Sequence, residues 1–139
     1  MNTLPLSRRA NLVSWGCQII AALILGQTLF FKFTGAPESI YIFSSLGAEP
    51  WGRYATGALE LVAVVLLLTP RMAAAGAVLA MGLMGGAIMS HLTSLGLEVQ
   101  GDGGLLFGLA VTTLIACTIV AFLRRSAVPL VGGWIAARI

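Results

Sequence analysis

From Tyr54 to His91 the chain reads YATGALELVAVVLLLTPRMAAAGAVLAMGLMGGAIMSH. Two apolar runs, 54–69 and 72–91, flank Pro70-Arg71. Each, with its flanks, spans about 30 Å of hydrocarbon at about 1.5 Å of helix rise per residue. A helix that is apolar on nearly every face belongs in lipid, and a lipid-spanning segment must satisfy its own backbone hydrogen bonds. Both runs are therefore predicted as transmembrane helices. Pro70 cannot continue the first and leaves only a tight turn, so the two are antiparallel neighbours.

The same pattern recurs on both sides, at 12–31 and 103–123. Of 139 residues, 58% are hydrophobic and 9% charged, with a mean hydropathy of +0.97. Soluble domains run near roughly a quarter charged. So few charges cannot coat a water-facing surface, which excludes a soluble enzyme, a nucleic-acid binder and a disordered chain. Continuous apolar runs, in place of alternation, exclude an outer-membrane barrel. The predicted fold is all-α: one membrane domain over 1–139, a polytopic bundle of four transmembrane helices in contact with the lipid bilayer.

Charge places the helix ends. Arg8, Arg9, Arg71, Arg124, Arg125 and Arg138 fall on one side, and Lys32 and Arg53 on the other. The positive-inside rule then puts both termini in the cytoplasm, in a bacterial inner membrane, with 32–53 and 92–102 outside. Ser7-Arg8-Arg9 faintly resembles a twin-arginine signal and Ser14-Trp15-Gly16-Cys17 a lipoprotein site. The apolar run follows Cys17 and no cleavage site follows the run, so an uncleaved first helix is expected.

Within the first outer loop, Pro37 suits a first helical position and Glu38 a helix N-terminus, giving a short interfacial helix over 37–46. Trp51 and Tyr54 read as headgroup-level anchors. The tail, 126–139, is apolar and carries Trp134 and Arg138, and it is expected to lie along the inner surface. Gly82 and Gly86, and Gly104 and Gly108, form G-x-x-x-G pairs of the kind that let helices approach closely, read first as internal packing.

Ionisable groups within a membrane span are costly and point to function. Glu60 lies six residues beyond Tyr54, about 9 Å deeper. Lys32 ends the first helix, His91 ends the third, and Gln27 sits five residues before Lys32 at the level of Glu60. These four side chains converge at the outer third of the bundle, with Arg53 near enough to join them. A structural reading stands beside the functional one. Lys32 can snorkel, His91 can favour a helix C-terminus, and Lys32 with Glu60 can be a buried ion pair that fixes register. One His and no Cys-x-x-Cys leave no metal site, and Cys17 and Cys117 read as core thiols of the inner half. No nucleophile motif, P-loop or dinucleotide fingerprint is present.

Phe31-Lys32-Phe33-Thr34-Gly35, Phe43 with Leu46-Gly47, Trp51, Arg53-Tyr54, Gly57-Ala58-Leu59-Glu60-Leu61 and Gly86-Ala87 leading to His91-Leu92 together resemble the DoxX and DoxX-like membrane proteins, over about residues 22–125. Phe30 and Phe31 depart from the small residues common before this lysine. The resemblance implies a four-helix bundle and, through a family named for a subunit of a thiosulfate:quinone oxidoreductase, a link to membrane redox chemistry. On that reading the chain carries no cofactor of its own. It binds a quinone-like head group at Lys32, Glu60 and His91, where His91 donates to a quinone carbonyl and Glu60 relays a proton, and it works with a redox partner. The alternative is a non-catalytic accessory subunit of a larger membrane complex, or a homo-oligomer, with the polar cluster a structural lock. Transport of a small solute is a third reading, weakened by the lack of a discontinuous helix or inverted repeat.

Overall fold

A computed structural model describes residues 5–128, Trp134 and Ala137. Among these residues the chain is helical without strands: α1 (Arg8–Thr34), α2 (Pro37–Ser45), α3 (Trp51–Leu68), α4 (Ala73–Ser90) and α5 (Leu105–Leu123). A single π-helical turn, His91–Leu95, extends α4, and four of the helices are long and apolar enough to cross a membrane. Helix α1 packs on α3 and α5, and α4 packs on the same two, so the spans run up-down-up-down around a square. The expected tail over 126–139 lies largely outside the described residues.

Helix ends follow local chemistry. Helix α1 begins four residues earlier than expected because the Ser7 hydroxyl accepts from the Ala10 N–H at 3.2 Å. It runs on to Thr34 and stops where Gly35 adopts φ +69°, the left-handed conformation that ends many helices. Pro37 and Glu38 open α2 as expected. Asp102 organises the start of α5. Its Oδ1 accepts from the N–H groups of Val99 (3.0 Å) and Gly104 (2.8 Å), and its Oδ2 accepts from Leu106 (3.1 Å).

The bundle is packed with small residues and wears its large ones outside. Ala21, Ala63, Ala73, Ala77, Ala80, Ala110 and Ala116 fill the interior with Leu25, Leu67, Met84, Cys117 and Val120. Leu12, Ile20, Leu23, Val65, Ile115 and Phe122 face outward. Lipid solvates outward-facing Leu and Ile well, and small inner faces let helices approach, which is the arrangement of a membrane bundle. Between the spans, close approach falls at Gly76 and Gly57. A Cβ on Gly76 would meet the Leu67 backbone nitrogen at 2.7 Å, and one on Gly57 would meet the Phe33 ring at 3.2 Å. At Gly82, Gly86 and Gly108, by contrast, an added Cβ meets nothing within 4 Å. The G-x-x-x-G pairs therefore make no tight helix contact; two of their glycines border empty space.

Candidate functional site

That space is a cavity of about 660 Å³ at the end of the bundle where α1 finishes and α3 begins. Gly82 and Gly86 form part of one wall, Leu25 and Met84 lie along it, and Ile42 and Phe43 of α2 border it. Of the five residues the sequence nominates, Gln27, Lys32, Glu60 and His91 line this cavity and Arg53 does not.

The Lys32–Glu60 ion pair is its polar centre. Lys32 Nζ donates to Glu60 Oε1 at 2.8 Å and Oε2 at 3.1 Å. The side chain of Glu60 is 2% exposed and that of Lys32 is 15%. Glu60 is brought there from nine residues inside α3, about 14 Å along its axis, while Lys32 reaches back from the last turn of α1. Gly57, one turn before Glu60, lets α1 and α3 approach closely enough for the bond to form. Thr28 adds a contact the sequence reading missed. Its hydroxyl lies 3.1 Å from Glu60 Oε2 and 3.0 Å from the Leu25 carbonyl, so its one proton serves one or the other. The i, i+4 spacing of Thr28 and Lys32 is the available signal.

Arg53 stands behind the pair. It donates to the Lys32 carbonyl, holds Glu49 through Nε at 2.9 Å and Nη2 at 2.8 Å, and lies 4.5 Å above the Tyr54 ring. It thus satisfies one of the orphan carbonyls at the end of α1 and clamps that end to α3. Gln27 borders the cavity but is exposed and makes no bond to the pair.

His91 is buried at the π-helical turn, where its carbonyl accepts from the Gly96 N–H at 2.8 Å. Its Nδ1 lies 2.8 Å from the Gly96 carbonyl, and its ring meets the edge of Phe107 at 5.6 Å. A carbonyl only accepts, so Nδ1 carries the proton and a neutral ring offers Nε2 as an acceptor. In that neutral tautomer Nε2 accepts a hydrogen bond and does not donate one. Asp102 also lines the cavity. Burial pushes its carboxyl up, but the N–H groups of Val99, Leu106 and Gly104 outweigh this, and it titrates below the ordinary 3.8. Phe31, singled out in the sequence as unusual, is a lining residue too.

A second polar cluster lies at the opposite end. Arg124 Nε donates to Ser14 Oγ (2.8 Å) and Gln18 Oε1 (3.2 Å), and its Nη2 donates to Asn11 Oδ1 (3.0 Å). Ser14 donates to Gln18, and Gln18 Nε2 donates to the Leu67 carbonyl, both at 2.7 Å. In the sequence Arg124 reads as a topology signal. The 3, 4 spacing of Asn11, Ser14 and Gln18 along one face of α1 is the sign that it has partners.

Fold and site together define a small integral membrane protein: a four-span helical bundle with a polar-centred cavity at one end. The sequence profile of the DoxX-like family matches residues 16–118, well over half of the chain and inclusive of Lys32, Glu60 and His91. The chain belongs to that family. No curated protein and no solved structure matches it.

Proposed function

We propose that this protein is the membrane subunit of a redox system and that its cavity receives the polar head of a quinone-like lipid. The carrying observation is the cavity itself: about 660 Å³, apolar along α1, α4 and α5, with the Lys32–Glu60 pair, His91, Asp102 and Glu38 at its wall. Binding sites for small lipophilic molecules are concave and mostly apolar, with a few polar groups that fix orientation. Lys32 is a donor suited to a ring carbonyl, and His91 Nε2 is an acceptor suited to a ring hydroxyl. That pairing favours a head group offering both, as a quinone and its reduced form do. Electrons come from and go to a partner protein in the inner membrane, with both termini on the cytoplasmic side and α2 at the outer surface.

The alternative rests on one fact. Every buried side-chain nitrogen and oxygen among the described residues already has a partner within the chain. Such a cluster holds a bundle together without any ligand, which suits an accessory subunit.

Native mass spectrometry after gentle detergent release separates the two. A bound mass matching a quinone is expected on the wild type and absent from Gly86→Leu, which adds side-chain volume to the cavity wall without touching the Lys32–Glu60 pair. Co-purifying polypeptides without any such mass, or equal quinone occupancy in Gly86→Leu, would overturn the cavity reading.

A further inference from the structure

All five acidic residues of the sequence, Glu38, Glu49, Glu60, Glu98 and Asp102, belong to the cavity end or its loops. Residues 1–37, 61–97 and 103–139 contain none. At the other end stand Arg8, Arg9, Arg71, Arg124 and Arg125, and no carboxylate side chain is available to balance them.

Arg124 is the member of this group that the fold immobilises. Asn11, Ser14 and Gln18 accept from its Nε and Nη2, and all three are neutral. Their bonds orient the guanidinium without cancelling its charge, and among the described residues they engage Nε and Nη2. Burial lowers the Arg124 pKa, as it does for a cation drawn partly out of water. Arg8 lies one turn before Asn11 on the same face of α1 and is exposed, so a second cation flanks the first. Two arginines, one with its fork fixed and one free to swing, suit a tetrahedral oxyanion. At a bilayer surface the oxyanion within reach is a lipid phosphate.

We propose that Arg124 and Arg8 form a binding site for the phosphate group of an anionic lipid, at the end of the bundle opposite the cavity. The site is separate from the quinone reading and stands or falls without it. Asn11, Ser14 and Gln18 position Arg124; Arg124 and Arg8 contact the ligand.

The test is native mass spectrometry of the purified chain titrated with phosphatidylglycerol, phosphatidylcholine or inorganic phosphate. Wild type is expected to retain phosphatidylglycerol in preference to phosphatidylcholine. Arg8→Gln, which disturbs none of the hydrogen bonds around Arg124, is expected to weaken phosphatidylglycerol binding about fivefold, the effect of one cation at an anionic surface. Arg124→Gln is expected to weaken it more. Equal binding of the two lipids, or wild-type affinity for phosphatidylglycerol in both variants, would leave Arg124 as a tie between α1 and α5 and overturn the proposal. Displacement of phosphatidylglycerol by equimolar inorganic phosphate would overturn the lipid assignment in favour of a free anion.

Discussion

Replacing Lys32 with Met removes the cation from a carboxylate that water barely reaches. Glu60 is 2% exposed and takes both close contacts from Lys32 Nζ, at 2.8 and 3.1 Å; only the shared Thr28 hydroxyl would remain. Breaking a buried pair from one side costs about 3–5 kcal/mol. The lower figure applies here, because an unpaired buried carboxylate can take up a proton. The reverse substitution, Glu60→Gln, is gentler. The amide oxygen can still accept from Thr28 or Lys32, and Lys32, at the end of α1 and 15% exposed, can extend its ammonium toward the interface. About 1–2 kcal/mol follows for a hydrogen bond to a charged group weakened but not orphaned. Lys32→Met combined with Glu60→Gln removes both charges, and a coupling of about 2 kcal/mol or more is expected from the cycle. Unfolding in mixed detergent–dodecyl sulfate micelles measures all four species. If Glu60→Gln proves as damaging as Lys32→Met, or if the two losses simply add, the pair is not the buried, one-sided interaction its exposure implies.

Two further expectations rest on local geometry. Gly76→Ala places a Cβ 2.7 Å from the Leu67 nitrogen and 2.8 Å from Leu66 Cβ, so it should destabilise by about 1–3 kcal/mol, whereas Gly86→Ala meets nothing within 4 Å and should be neutral or slightly stabilising. The same micelle unfolding ranks them. Asp102→Ala strips three backbone N–H groups of their acceptor and should cost about 1–2 kcal/mol at neutral pH. Asp102 titrates lower in the folded chain than its ordinary 3.8, so its contribution is present above about pH 4 and disappears as pH falls through the folded value. A wild-type advantage over Asp102→Ala that persisted unchanged at pH 2 would refute the capping role.

How much of this was legible beforehand divides along a physical line. The four spans were readable because continuous apolarity has one solution in lipid, and the meeting of Lys32 and Glu60 followed from depth alone, at a fixed rise per residue. Which face a residue presents was harder to read. Leu, Ile, Val and Ala are acceptable to lipid and interior alike, so periodicity in a membrane helix is weak. Arg53 was nominated by its depth, yet it turns toward Glu49 and the Lys32 carbonyl. Gly82 and Gly86 match a packing motif, but the motif specifies only small residues, and small residues serve equally to leave a gap. The histidine's tautomer depended on a π-helical turn whose i, i+5 bond no residue pattern announces.

The placement of these features makes the two ends of the bundle unlike. At the Arg124 end, α1 is bonded to α5 through Asn11, Ser14 and Gln18, α1 to α3 through Gln18 and the Leu67 carbonyl, and α3 meets α4 at backbone distance over Gly76. Three of the four sides of the square are closed there. At the Lys32 end one side-chain ion pair joins α1 to α3, Arg53 secures the same two helices, and the centre holds a cavity. A uniformly packed bundle would have filled that centre with larger residues than Gly82 and Gly86. The cavity is confined to the end where a carboxylate, an ammonium and an imidazole meet, and the proposed ligand site rests on that coincidence.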